Sequence, residues 1–483
     1  MDSSHKAQTV DTPPVENVAD PAEFDPQLEA QDSGTAGTTG KAPVKKRKSN
    51  HLYQIDFVRL VTFAGVVLDH VILALTTQTE IIAQGVGLLL RYTRYCFFAL
   101  TGFVQTYQYR NRELDVRQYW KRRYKYIGLP FVTWSLFYWV YNRVTDAGVH
   151  NFLKGSFGSV DAILTSIKSI AYDLITGHAT YHLYFLSVSM QIYFVFPALL
   201  WLLKKTYGYH RYLLAVSGAF HIWLLYHMVR PPLDIFSHGL GGLLWRYLGI
   251  TLLPYQFFIL GGAIAALHLD AFTGFMKKWW KVLVPVSLIT IALTLVYYRH
   301  LVHGGEEMFR ATNVFMVHNM FAFLGIIVLL YLAGLWWQNR RTPGSLPDKI
   351  LEMGADRSFA IYLAHVLAIS VMVPVVTRWN MANGLRMFFM YLIVCALTVY
   401  LVEILRRSPI SLITTGRERV DLGTQNPTKE LAIAAASIVV GAGLVWRLVD
   451  YDRVGYFLIG AGILLVITAL IVLRAKAKTP TAA

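Results

Sequence analysis

The ionisable side chains of Asp56, Arg59 and His70 lie inside one apolar stretch at 52–75. A charged group near the centre of a bilayer costs about 2.5–3.5 kcal/mol, whereas each Leu, Ile, Phe or Val returns only about 0.3–0.6 kcal/mol. A span that keeps such groups must turn them toward protein or a watery cavity, which is where proton transfer or transport occurs. At about 100° per residue, Arg59 falls about 60° from Asp56 around a helix and His70 about 40° from it. One stripe therefore carries an acid–base pair at one depth and an imidazole about 16 Å from Arg59 along the axis. Asp69 falls about 100° from His70 and is badly placed to orient its ring. The imidazole suits removal of a proton from a hydroxyl at neutral pH. The guanidinium suits a phosphate or carbonyl, or simple pairing with Asp56.

The elements that position these groups are membrane spans. The chain is 55% hydrophobic with 15% charged residues, against about 25% charged in a soluble domain. About twelve apolar segments are long enough to cross a bilayer: 52–75, 85–108, 126–144, 181–203, 211–229, 247–268, 281–299, 312–336, 350–376, 385–405, 429–449 and 455–473. All are expected to be helices, because the segments are too long for barrel strands and lipid tolerates no other spanning structure. The fold class is thus an all-α polytopic bundle. The second segment is the least clean, since Arg91 and Arg94 interrupt it. Basic residues crowd alternate loops, at 45–48, 110–125, 204–205, 277–281, 340–341, 406–429 and 474–478. This bias puts both termini in the cytoplasm of a multi-pass plasma-membrane protein. It also accounts for the net charge of +16 by attraction to anionic lipid, with no nucleic-acid partner.

Residues 1–49 read as a disordered, polar cytoplasmic tail without the apolar core of a signal peptide. Residues 407–428 read as a cytoplasmic linker, 429–474 as a pair of further spans, and 475–483 as a short cytoplasmic tail. Cys96 and Cys395 both fall in spans, so packing is expected of them rather than a disulfide. No metal-ligand spacing and no phosphate-loop motif occurs. Oligomeric state is not encoded in any visible pattern.

Several motifs, taken in order, resemble the acyltransferase-3 family of integral membrane proteins. The run YQIDFVR at 53–59, followed by His70, resembles the family's first helix, in which a basic residue, ten arbitrary residues and a histidine follow one another. FFALTGF at 97–103 resembles FFxxSGF, with Thr101 in place of serine. YWKRRYK at 119–125, leading into Pro130, resembles the basic run before the third helix, with Lys125 where the second arginine usually stands. HLYFL at 182–186, with Tyr193 and Pro197, resembles the HLWFL helix, with Tyr184 where Trp is common. SFAIYLAH at 358–365 resembles the SxxIYLxH helix. The matches run from about residue 50 to 406. This implies a ten-helix acyltransferase domain at 50–406, with the two C-terminal helices lying outside the resemblance.

The resemblance implies transfer of an acyl group, usually acetyl, from cytoplasmic acyl-CoA to a hydroxyl of an extracytoplasmic glycan or glycolipid. Acetyl-CoA is then a donor substrate, and no cofactor is held permanently. His70 is the expected general base, and Arg59 its partner in catalysis on the cytoplasmic half of the first span. Arg122, Arg123 and Lys125 are expected to meet the CoA phosphates. Asp56, Arg94, Thr101, His182, Tyr362 and His365 are expected to line the substrate pocket. The competing reading is a transporter or flippase of a lipid-linked glycan, because many spans with internal charges suit that class as well; a third is a scaffold without catalysis.

Overall fold

A computed structural model describes residues 51–231, 233–447 and 451–478. The tail at 1–49, read above as disordered, lies outside the described residues. The described chain is helical, with no strand among the described residues. In order, the helices are α1 (Tyr53–Leu75), α2 (Ile81–Leu90), α3 (Tyr92–Tyr109), α4 (Val116–Arg123), α5 (Leu129–Phe157), α6 (Val160–Thr176), α7 (Tyr184–Lys205), α8 (His210–Met228), α9 (Gly239–Arg246), α10 (Gln256–Leu267), α11 (Leu269–His303), α12 (Met308–Ala311), α13 (Val317–Arg340), α14 (Leu346–Val376), α15 (Asn383–Arg407), α16 (Ser411–Thr415), α17 (Pro427–Arg447) and α18 (Asp452–Lys478).

Among the described residues, every apolar segment expected from the sequence contains an α-helix, that at 247–268 only from Gln256 onward after two 3-10 turns. By length and composition, eight helices among the described residues can cross a membrane: α1, α7, α11, α13, α14, α15, α17 and α18. The segments expected at 85–108, 126–144, 211–229 and 247–268 fold as helices that are too short or too polar to meet that standard. The reason is local. The segment at 85–108 is divided at Arg91, whose backbone N–H reaches back to Gly87 and Leu88 while its side chain is tied to the Thr312 carbonyl. Two further departures stand out. The stretch after the third expected span is a helical hairpin, because α5 runs on past a break at Gly148 and α6 returns. The segment at 407–428 packs closely: Trp134 donates to the Thr414 carbonyl at 2.8 Å, and Ser411, Thr414 and Thr415 are buried.

The core sits around α14, the most buried of the candidate spans. Tyr362, Leu363, Val366 and Leu367 of α14 pack with Val66 of α1, Phe97 of α3, Phe131 and Trp134 of α5, and Leu401 and Val402 of α15. Of the two C-terminal helices, α18 joins this body through Val454, Phe457 and Leu464, and α17 packs on α15 and α18 through Ala434. Helices α3 and α10 cross with almost no side chain between them. A Cβ added at Gly102 would lie 2.2 Å from the Ile259 carbonyl oxygen, and one at Gly262 would lie 2.0 Å from that of Ala99. Small residues at such crossings let backbones approach, which is the main source of helix association in lipid. Gly102→Ala is therefore expected to cost about 1–3 kcal/mol, read as a lower midpoint in thermal unfolding of the detergent-solubilised protein. An unchanged midpoint would show that the crossing yields easily.

Candidate functional site

The site begins with a chain of hydrogen bonds. His70 of α1 and His365 of α14 meet through His70 Nδ1 and His365 Nε2 at 2.7 Å, with their rings 9° from parallel. The other nitrogen of His365, Nδ1, lies 2.7 Å from the backbone carbonyl of Tyr362. A carbonyl can only accept, so His365 Nδ1 carries the proton. With both rings neutral, His365 Nε2 is then an acceptor and His70 Nδ1 the donor. This tautomer leaves His70 Nε2 with a lone pair and no hydrogen-bond partner among the described residues. A hydrogen bond to the ring's other nitrogen, fixing tautomer and orientation, is the usual way an imidazole is set up for its task.

His182 closes the cluster from the loop before α7. Its ring is 5.2 Å from that of His365 and 6.4 Å from that of His70. It is buried, and neither ring nitrogen has a protein partner. Such a group costs about 1–3 kcal/mol and is the kind of exception that occurs at functional sites. Its backbone is well held: the Tyr362 hydroxyl donates to the His182 carbonyl, and Asn142 donates to the Ala179 carbonyl at 3.0 Å. Gly177 makes the tight turn possible. It ends α6 at φ +76°, and a Cβ there would come within 2.3 Å of the Tyr184 Cα. Tyr181 stands edge-on to His70, with ring centres 4.9 Å apart, and is about half exposed.

Tyr138 of α5 supports His365 from behind. Its hydroxyl donates to the Leu363 carbonyl at 2.9 Å and accepts from the Leu367 N–H at 3.1 Å. Those are the two ends of one helical turn of α14, the turn that carries His365. The hydroxyl thus sits in the backbone ladder, a recognised cause of local bending. Nothing in the sequence pattern around Tyr138 singles it out.

The positive groups near the cluster come from α2 and α3. The guanidinium of Arg94 lies 5.0 Å from the centre of the Tyr184 ring, beside Tyr255 and within electrostatic reach of His70. Arg91 is tied to the Thr312 carbonyl. Asp69 faces Gly87 of α2 and the Arg91–Arg94 side, so it does not orient His70.

The other residues expected from the sequence lie elsewhere. Asp56 is ion-paired with Arg59 at 3.6 Å and also contacts His51. Arg59 is held about 16 Å along α1 from His70, on the side of Tyr193. Thr101 gives its hydroxyl to the Phe97 carbonyl of its own helix, at 2.9 Å. The basic run divides: Arg123 donates to Gln108 at 2.6 Å, Lys125 reaches Tyr126 and Glu418 at 3.4 Å, and Arg122 is exposed. Near this end of the bundle, past the end of α3, a cavity of about 560 Å³ is lined by Arg110, Arg112, Lys204, Tyr207 and Glu113. Among the described residues, no three ligating side chains are grouped to hold a metal ion.

A family model described as an acyltransferase domain, of the acyltransferase-3 type, matches residues 52–406. That span contains the histidine cluster, Arg59, the basic run and the cavity. Neither a curated protein nor a solved structure matches the chain. Removal of the Tyr138 hydroxyl strands a buried N–H and C=O beside His365. Tyr138→Phe is expected to lower unfolding stability by about 1–3 kcal/mol, measured by thermal denaturation in detergent; no change would mean that α14 re-forms its own ladder there.

Proposed function

Because the chain belongs to the acyltransferase-3 family of multi-pass membrane acyltransferases, we propose that it is an acyl-CoA-dependent O-acyltransferase. In this reading it moves an acyl group, acetyl in the first instance, to a hydroxyl of an extracytoplasmic glycan or glycolipid of the cell envelope, with both termini in the cytoplasm. The observation that carries the reading is the hydrogen-bonded line from the Tyr362 carbonyl through His365 to His70, which leaves His70 Nε2 as an unshared base.

The chemistry follows from that arrangement. His70 Nε2 takes the proton of the acceptor hydroxyl as its oxygen attacks the thioester carbonyl, forming a tetrahedral oxyanion. The oxyanion collapses, the C–S bond breaks, and the imidazolium returns the proton to the departing thiolate. His365 accepts from His70 Nδ1 throughout and keeps the ring in the same orientation. Arg94 is the nearest fixed positive charge for the oxyanion. Arg59 stands on the donor side with Asp56 as its partner. The anionic end of the donor is assigned to the basic end of the bundle, where Arg110, Arg112 and Lys204 converge on a cavity and Arg122, Arg123 and Lys125 stand nearby in the chain. Arg110 and Arg94 are about 24 Å apart along α3 by helical rise.

Purified protein in nanodiscs, given radiolabelled acetyl-CoA and a membrane fraction, is expected to label a lipid or glycan product. His70→Ala should reduce labelling about 10²–10⁴-fold with normal folding, while His365→Ala should lower kcat by a smaller factor with little change in KM for the donor. Full labelling by the His70 variant would remove it from the mechanism. For the donor site, the double variant Arg112→Ala, Lys204→Ala is expected to raise KM for acetyl-CoA several-fold at unchanged kcat. An unaltered KM would move the donor's phosphates away from this cavity.

A further inference from the structure

The hairpin between the third expected span and the His182 loop is built inside out by the standard of a water-soluble protein. Helix α6 is amphipathic: at about 100° per residue, Val160, Leu164, Ile167, Ala171 and Ile175 share an arc of about 80°. In water that stripe would face the core. Here the opposite face is the one that is held. Ser169 accepts from Arg143 at 2.8 Å and from the Trp139 indole at 3.2 Å, and Ser166 donates to the Ser156 carbonyl at 3.2 Å. The apolar stripe points outward, with Val160 73%, Leu164 50%, Ile167 56% and Ile175 75% exposed.

Helix α5 repeats the pattern on both sides of its break. Before Gly148, the exposed residues Leu129, Val132, Leu136, Phe137 and Val140 fall in one arc of about 140°, the lipid face expected of a spanning helix. After Gly148, which has φ +79°, the exposed apolar residues are Val149, Leu153 and Phe157, spaced four apart on one stripe. The segment 129–147 rises about 28 Å, close to the roughly 30 Å of a hydrocarbon core. The chain therefore turns at Gly148 after one bilayer thickness, and the hairpin lies at that depth. Its exposed charges are mixed, with Lys154 and Lys168 set against Asp146 and Asp161. The attraction on offer is thus apolar rather than a matter of net charge.

We propose that residues 149–176 form an interfacial hairpin that lies on the bilayer with the α6 stripe and the 149–153–157 stripe in the headgroup and upper acyl region. The occupant of this surface is lipid. The polar face is already satisfied by α5, the outward face is continuous with the lipid face of 129–147, and an amphipathic helix of this type binds membranes through buried apolar area. The hairpin ends at Gly177, five residues before His182. Its seat on the membrane therefore bears on where the half-exposed Tyr181, which stands against His70, lies relative to the bilayer.

The test is power-saturation EPR on the full chain in phosphatidylcholine nanodiscs. Nitroxides are attached at Leu164→Cys, Ile167→Cys, Asp161→Cys and Lys168→Cys, each in a Cys395→Ser background in which the buried Cys96 is silent. Labels at 164 and 167 are expected to be several-fold more accessible to oxygen than to a water-soluble nickel chelate, with the reverse order at 161 and 168. Nickel dominance at all four sites would put the hairpin in water and overturn the proposal. Protection of 164 and 167 from both reagents would mean that protein covers the stripe, and would overturn it equally. Labels at Ala171→Cys and Ile175→Cys report the same stripe if either of the first two variants fails to fold.

Discussion

The hydrogen bond between His70 and His365 joins residues 295 positions apart in the chain, and much of the structure exists to make it possible. A bilayer interior supplies no water to satisfy a polar group, so an imidazole placed there needs a partner from the protein. Helix α14 provides that partner from the most buried position available. Its His365 turn is held by the Tyr138 hydroxyl, and the Tyr362 hydroxyl of the same helix secures the His182 loop. Gly102 and Gly262 bring α3 and α10 into backbone contact and so fix α3, the helix that carries Arg94. Aromatic rings fill the rest: Phe63, Phe97 and Phe185 all pack on Tyr362. The polar line is thus enclosed by a rigid apolar wall with few ways to relax.

A second polar system shows the same constraint at the other end of the core helices. Asp356 meets Arg357, Arg406 and Arg417, while Glu403 meets Arg357 and Arg407. Arg406 is almost fully buried and also donates to the Glu418 carbonyl. A buried charge of this kind is tolerated only when paired and hydrogen-bonded. The network therefore explains why the segment after α15 is packed tightly, although its composition reads as a linker. The histidine line and this network hold the middle of α14 at two points about two and a half turns apart.

Much of the fold was legible in the sequence, because hydrophobic length is a strong and local signal. The spans at α1, α7, α11, α13, α14, α15, α17 and α18 follow directly from it. The interruption of the second segment was legible at Arg91 and Arg94. The hairpin at 149–176 was not, since its apolar stripes are short and mixed with charges, and their meaning depends on which face α5 occupies. The candidate site was legible in pieces. His70 stood out by its cost in a span, and His182, Tyr362 and His365 by resemblance. Their convergence was invisible, because two helices and a loop far apart in sequence supply them. Tyr138 left no signal, since its role is one hydroxyl placed between two backbone groups of another helix.

What the sequence determined by itself is what depends on neighbours along the chain: helix after helix, the spacing of the charges along α1, and the alternation of basic loops. What only the tertiary structure decided is which polar groups find one another. Arg59 and His70 share a stripe yet serve different neighbourhoods, Asp56 for one and His365 for the other. The tautomer of His70 is set by a carbonyl on α14, and the outward face of α6 is set by Arg143 and Trp139 on α5. Apolar burial is non-directional and can be read from composition, whereas a hydrogen bond needs two atoms within about 3 Å at a defined angle. Only the packed helices supply that.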